Sequence, residues 1–197
     1  MCAQTLSDTA PVETFARYAR AAGAQVSFAE NGATAATLIT GIAGGPVTCT
    51  AAVLNRYPTL SNALLEAGSQ AVVAEEIAAE GGLSSSDAAA RLSGGTAVVL
   101  AGAGIAETGS LVLADDAPAP RLASMLADVC IALLPAAGIL RNLDEAGVLL
   151  AELDREGHRY ISLVTGPSRT ADIERVLTIG VQGPKSLHII VLTGEGS

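Results

Sequence analysis

Tyr160-Ile161-Ser162-Leu163-Val164-Thr165-Gly166-Pro167-Ser168-Arg169-Thr170 passes from an apolar, β-branched run into a turn of glycine, proline and hydroxyl residues. Isoleucine and valine favour a pleated strand, and Gly166 with Pro167 ends it, so Tyr160–Val164 reads as a strand and Thr165–Thr170 as the turn leaving it. A helix is expected over Thr170–Gly180, with Ser168 or Thr170 as its cap and Asp172 and Glu174 in its first turn. The unbroken apolar run Leu187–Leu192 then predicts a buried strand. Strand, helix and strand in this order make the unit from which parallel sheets are built.

The same alternation extends toward the amino terminus. Val12, Phe15, Ala19 and Ala22 recur at helical spacing and stop at Gly23, after which Gln25–Ala29 reads as a strand. Residues 33–45 are rich in alanine and glycine and fit either state. Val47–Leu54 and Ala71–Ala74 read as strands, and Ser84 can cap a short helix that ends before Gly94-Gly95. Thr96–Ala101 and Ser110–Ala114 read as strands flanking a glycine-rich connection, and Val129–Leu134 as a buried strand ended by Pro135. Leu140, Leu143, Val148, Leu149 and Leu153 predict a helix between Gly138 and Arg155. Asp115–Pro120, with Pro118 and Pro120 after two acids, reads as a flexible loop. The fold class expected is therefore α/β: an open, mostly parallel sheet covered by helices on both faces, in one domain spanning residues 1–197.

Composition narrows the function. Eleven Lys and Arg stand against twenty Asp and Glu, a formal net charge of −9, which repels phosphate backbones and anionic lipid. Only 3% of residues are aromatic and none is Trp, so stacking platforms for bases are not expected. No basic start with an apolar run marks a signal peptide, and the charge-free stretches Thr96–Ala106 and Ile131–Leu140 are too short to span a bilayer. The expected location is cytoplasmic, with no nucleic acid and no membrane insertion. Cys2, Cys49 and Cys130 lie far apart, without the Cys-x-x-Cys spacing of a zinc or iron–sulfur site. His158 and His188 lack metal-ligand spacing as well, and alternation puts His188 on the strand face opposite Leu187 and Ile189.

Two places carry candidate chemistry. In the turn, Gly166 permits close backbone approach, and Ser168, Arg169 and Thr170 offer hydroxyls and a guanidinium that suit a phosphate, sulfate or carboxylate. The helix start expected there would add N–H groups, with Asp172 close by. The alternative is a capped strand-to-helix turn whose Arg169 pairs with Asp172 or Glu174. In Gly104-Ile105-Ala106-Glu107-Thr108-Gly109-Ser110, Glu107 is a lone carboxylate in an apolar, glycine-lined connection, suited to a general acid, a base or a nucleophile. Thr108 and Gly109 beside it join the candidate ligand-binding set. The alternative is a Glu that accepts from backbone N–H groups to fix the turn. Gly102-Ala103-Gly104 begins like a dinucleotide fingerprint, but Glu107 stands in the third glycine's place and a strand follows, so that reading is rejected. Gly180–Pro184 reads as a helix stop that could lie beside the first turn.

Ile105-Ala106-Glu107-Thr108-Gly109-Ser110-Leu111, Arg121-Leu122-Ala123-Ser124 and Thr165-Gly166-Pro167-Ser168-Arg169-Thr170-Ala171-Asp172-Ile173-Glu174, with Gly180–Pro184 and Leu187-His188, resemble the LUD domain of the lactate-utilisation protein C family. The resemblance is strongest over residues 101–193. It implies the fold shared by ribose-5-phosphate isomerases, glucosamine-6-phosphate deaminases and CoA transferases. It also implies a part in oxidising L-lactate to pyruvate alongside iron–sulfur partner proteins, with no cofactor in this chain itself. The N-terminal region is shorter than is usual for that family, and Gln182 stands where a histidine is often found. Two other functions fit the same residues: a stand-alone enzyme on a small phosphorylated or CoA-linked substrate using Glu107, and a non-catalytic anion-binding module.

Overall fold

Strands and helices alternate through a computed structural model that describes residues 9–80, 85–171, 177–179 and 183–194. Helix α1 (Thr9–Ala21) leads into strand β1 (Gln25–Ala29), and the ambiguous alanine-rich segment is helix α2 (Gly32–Ala43). Asn31 decides that ambiguity: its side chain accepts the Thr34 N–H, while Gly44 closes the helix at φ 63°. Strand β2 (Val47–Cys49) is followed by α3 (Ala51–Arg56), α4 (Leu60–Glu66), β3 (Ala71–Val73), α5 (Ala74–Ala79) and α6 (Ser85–Leu92). Next come β4 (Thr96–Leu100), β5 (Ala103–Ile105), β6 (Ser110–Ala114), α7 (Pro118–Leu126), β7 (Val129–Pro135) and β8 (Ile139–Leu140). Helix α8 (Leu143–Glu156), β9 (Ile161–Val164), β10 (Arg169–Ala171), β11 (Leu177–Ile179) and β12 (Ser186–Leu192) complete the order.

Six strands form one sheet in the order β1-β12-β7-β4-β2-β3, and every neighbouring pair is parallel. Its central strands are apolar on both faces, as a parallel sheet covered on two sides requires. Val98, Ile131, Leu133 and Ile190 pack with Ala35, Ile39, Val53, Leu60 and Leu64 of α2, α3 and α4. On the other face, Val99, Ala132, Leu134, Ile189 and Val191 pack with Phe15 and Ala19 of α1 and Leu111 and Leu113 of β6. His188 is half-buried, on the face of β12 opposite Leu187 and Ile189, and burial holds its imidazole below the usual histidine range.

The second face is covered by a smaller sheet that the sequence reading did not anticipate, in the order β8-β5-β6-β9. There β6 runs antiparallel to both β5 and β9. Its outer side holds Ala103, Ile105 and Val112 against Ala146, Leu149, Leu150 and Leu153 of α8. The glycine-rich connection between Ala101 and Ser110 therefore contains a strand, because a three-residue strand is too short to declare itself by alternation.

Three expectations are corrected. Val47–Leu54 is not one strand: β2 stops at Cys49, and α3 begins where Ala51 N–H donates to Glu75 Oε2 at 2.9 Å. Asp115–Pro120 is not a free loop, since Pro118 opens α7, where its fixed φ and missing N–H suit the first helical position. The helix expected over Thr170–Gly180 is replaced at both ends by an antiparallel pair, β10 and β11, in which Thr170 lies opposite Thr178 and Arg169 opposite Ile179. Thr170, Thr178 and Ile179 supply strand preference there, and pairing overrides the helical spacing. The cap expected at Ser84 lies outside the described residues.

Two glycines set the smaller sheet against α1. Gly109 has φ 68°, and a Cβ on it would stand 2.1 Å from the backbone N of Ala19. Gly166 has φ 77°, and its Cβ would stand 2.3 Å from the Ala22 carbonyl oxygen. Both obstacles are backbone, so no side-chain rotation relieves them. Gly109→Ala and Gly166→Ala should each cost more than about 2 kcal/mol in urea unfolding. Gly147→Ala, in the exposed interior of α8 with nothing within 4 Å of its Cβ, should instead stabilise by roughly 0.5–1 kcal/mol.

Candidate functional site

A cavity of about 320 Å³ lies between the parallel sheet and the smaller sheet. Its apolar wall comes from Val99 of β4, Leu111 and Leu113 of β6, Cys130 and Ala132 of β7, and Leu187 of β12. The polar groups come from Asp115, from Arg121 and Ser124 of α7, from Ser162 of β9, and from Thr165 and Ser168. Gly166, Gly183 and Pro184 also line it, so the Gly180–Pro184 segment does reach the first turn: Ser168 N–H donates to the Pro184 carbonyl at 3.0 Å.

Arg121 lies over the Tyr160 ring, its guanidinium carbon 3.5 Å from the ring centroid. Tyr160 is placed by Asp116, whose Oδ1 accepts the N–H groups of Arg159 at 2.7 Å and Tyr160 at 3.2 Å and whose Oδ2 lies 2.8 Å from His158 Nδ1. The Arg159 N–H, and then His158 and Tyr160, hold the Asp116 carboxyl below its ordinary range. Asp115 behaves oppositely. Burial, and then the charges of Glu75 and Asp116, raise its carboxyl above the ordinary range, while Arg121 pulls it down. Arg121 itself makes no ion pair among the described residues, and its buried Nε has no hydrogen-bond partner. Cys130, on the apolar wall, is pushed up to about 12 by burial and by the Asp115 charge, so its thiol is unreactive near neutral pH.

The sequence-derived candidates divide. Gly166 and Ser168 line the cavity. Thr108 is connected to its rim: its Oγ1 donates to Ser110 Oγ at 2.8 Å, which shares a 2.6 Å hydrogen bond with Thr165 Oγ1. Gly109 lies at α1 and outside the cavity wall. The Glu107 carboxylate is exposed, does not line the cavity, and accepts the Leu143 N–H at 2.9 Å at the start of α8. Arg169 and Thr170 belong to β10, which leaves the turn without the helix N-terminus on which the anion cradle was built. Asp172 and Gln182 lie outside the described residues. Arg121, Asp115, Ser124 and Ser162 were missed as site residues. Arg121 and Ser124 did have a signal, as the ends of the quoted Arg-Leu-Ala-Ser string, whereas Asp115 and Ser162 had none.

Fold and site together define an α/β protein with a ligand-sized cavity between two sheets, one buried guanidinium donor at its edge, and no described group of three or more His, Cys, Asp or Glu arranged to hold a metal ion. The LUD domain model matches residues 12–192, and the chain belongs to that family. A crystal structure of a DUF162 family protein from Deinococcus radiodurans shares the fold, with a TM-score of 0.63 at 20% identity, covering 94% of this chain and 98% of that one. Lactate utilization protein C of Anoxybacillus flavithermus is 37% identical over 45% of this chain and 40% of its own length. Lactate utilization protein C 1 of Bacillus mycoides is 36% identical over 44% of this chain. An uncharacterized protein of Escherichia coli, YkgG, is 34% identical over 48% of this chain and 42% of its own. The chain thus matches about two fifths of the length of these curated relatives. No helix among the described residues is long and apolar enough to cross a membrane.

Asp115 titrates higher in the folded chain than in the unfolded one, so its ionisation opposes folding. That cost is absent well below the ordinary aspartate value of about 3.9 and grows as pH rises through the raised folded value. Asp115→Asn should therefore match the parent in urea midpoint near pH 3 and exceed it by pH 7. Parallel midpoint curves across that range would show that Asp115 ionises freely.

Proposed function

We propose that this chain is the cluster-free component of a lactate-utilisation system that oxidises L-lactate to pyruvate with iron–sulfur partner proteins, and that it contributes a small-anion site. The observation that carries this reading is convergence. Three of the strings that resemble the lactate-utilisation family, Arg121–Ser124, Thr165–Ser168 and the Gly183-Pro184 turn, line one cavity although they are distant in the chain. The relatives' names supply the metabolic context.

The two described cysteines fit a role without a cluster. Cys49 and Cys130 are buried and both are pushed up to about 12, so neither offers a thiolate for a metal. In this reading the anion enters between α7 and β9 and meets Arg121, while hydroxyls of Ser124, Ser162, Thr165 and Ser168 complete the polar rim. Glu107 acts from outside the cavity by holding the start of α8.

Deleting the gene should slow growth on L-lactate while leaving growth on pyruvate unchanged. The tagged chain should copurify with iron–sulfur proteins from lactate-grown cells. Normal growth on lactate together with no such association would overturn the assignment. Glu107→Ala should lower stability by about 0.5–1 kcal/mol through the lost cap and leave anion affinity intact. A variant that folds as well as the parent but loses all turnover or binding would restore Glu107 as the reactive carboxylate.

A further inference from the structure

The cavity is larger than a three-carbon acid. At about 30 Å³ per water, 320 Å³ corresponds to roughly ten waters, or a ligand of about ten non-hydrogen atoms. Its wall is unequal in character: Val99, Leu111, Leu113, Ala132 and Leu187 belong to one apolar cluster, and the polar groups come from Asp115, α7, Ser162 of β9 and the turn after it. A ligand that fills this space has an apolar body and one polar end.

The charge of that end follows from Arg121. A buried guanidinium nitrogen without a partner costs free energy that a hydrogen-bonding anion would return. Its contact with the Tyr160 ring holds the guanidinium at the edge of the cavity. A phosphate dianion is a poor match, because among the described residues Arg121 is the only basic one on the cavity wall and Asp115 shares that wall. A single carboxylate, planar and singly charged, matches a guanidinium edge best.

We propose that this cavity binds a monocarboxylate with an apolar body of about five to eight carbons, its carboxylate on Arg121 and its chain along Leu111, Leu113 and Leu187. The proposal rests on the reading that this cavity is the anion site, and it adds the ligand class. A straight or branched acid, or one carrying a hydroxyl or oxo group beside the carboxylate, has this form. The rim hydroxyl of Thr165, whose hydrogen bond with Ser110 Oγ can run in either direction, suits that extra oxygen.

The test is titration of the full chain, with leucine and valine methyl groups labelled for NMR, by hexanoate, 2-hydroxyhexanoate, L-lactate, inorganic phosphate and 1-hexanol. Both six-carbon acids should shift the Leu111, Leu113, Val99 and Leu187 methyls and bind at least tenfold more tightly than lactate, phosphate or hexanol. Arg121→Gln should lose at least tenfold for the acids and leave hexanol unchanged. Ala132→Val, which shrinks the apolar wall, should weaken hexanoate while sparing lactate. Equal affinity for hexanol and hexanoate, or unchanged hexanoate affinity in Arg121→Gln, would overturn the carboxylate contact. If lactate shifts the cavity methyls and hexanoate does not, the ligand class falls and the anion site stands. If no anion shifts them, both fall.

Discussion

The last turn of α1 is the abutment on which the rest of the molecule is built. Two chain segments 57 residues apart, at Gly109 and Gly166, press their backbones onto Tyr18–Ala22 at distances no Cβ could occupy. Those contacts fix the smaller sheet over the parallel one, because Gly109 precedes β6 and Gly166 follows β9, and β6 pairs with β9. With both ends seated, Leu111 and Leu113 come to face Val99, Cys130 and Ala132 across a space that no described side chain fills. The cavity is thus a consequence of backbone contact at its margin.

The polar side of the cavity depends on a second chain of dependence. Asp116 takes two backbone N–H groups from the loop before β9, which places Tyr160, and Tyr160 carries Arg121 on its ring face. Asp115, the preceding residue in the chain, faces the cavity instead of the loop. Adjacent carboxylates therefore differ in state for a physical reason: Asp116 is stabilised by donors, and Asp115 is desolvated. The pair puts one rigid guanidinium and one weakly acidic carboxyl beside an apolar wall, an arrangement that discriminates by charge and shape more than by reactivity.

Much of the fold was readable in advance because burial on both sides leaves a strong mark. Runs such as Leu187–Leu192 and Val129–Leu134 can only be interior strands of a covered sheet, whereas the caps at Asn31 and Asn142 went unread and residues 33–45 stayed ambiguous. Short strands were harder to read. At three residues, β5, β10 and β11 carry too little alternation to compete with glycine signals or with helical spacing, and partner strands decide them. Of the site, the turn after β9 was found because glycine, proline and serine announce a turn, whereas Asp115 was hidden in what read as a loop.

The amino-acid sequence by itself determined the fold class, the buried strands of the parallel sheet and the family, since these depend on local period and on contiguous strings of residues. The tertiary structure alone decided which residues share a site. It set Glu107 outside the cavity at the start of α8, put a strand pair at the two ends of the expected helix after Thr170, and brought Arg121 and Ser168 onto the wall of one cavity. The reason is that a cavity is defined by the approach of segments remote in the chain, and that approach is set here by backbone packing at two glycines, which leaves no periodic trace in the sequence.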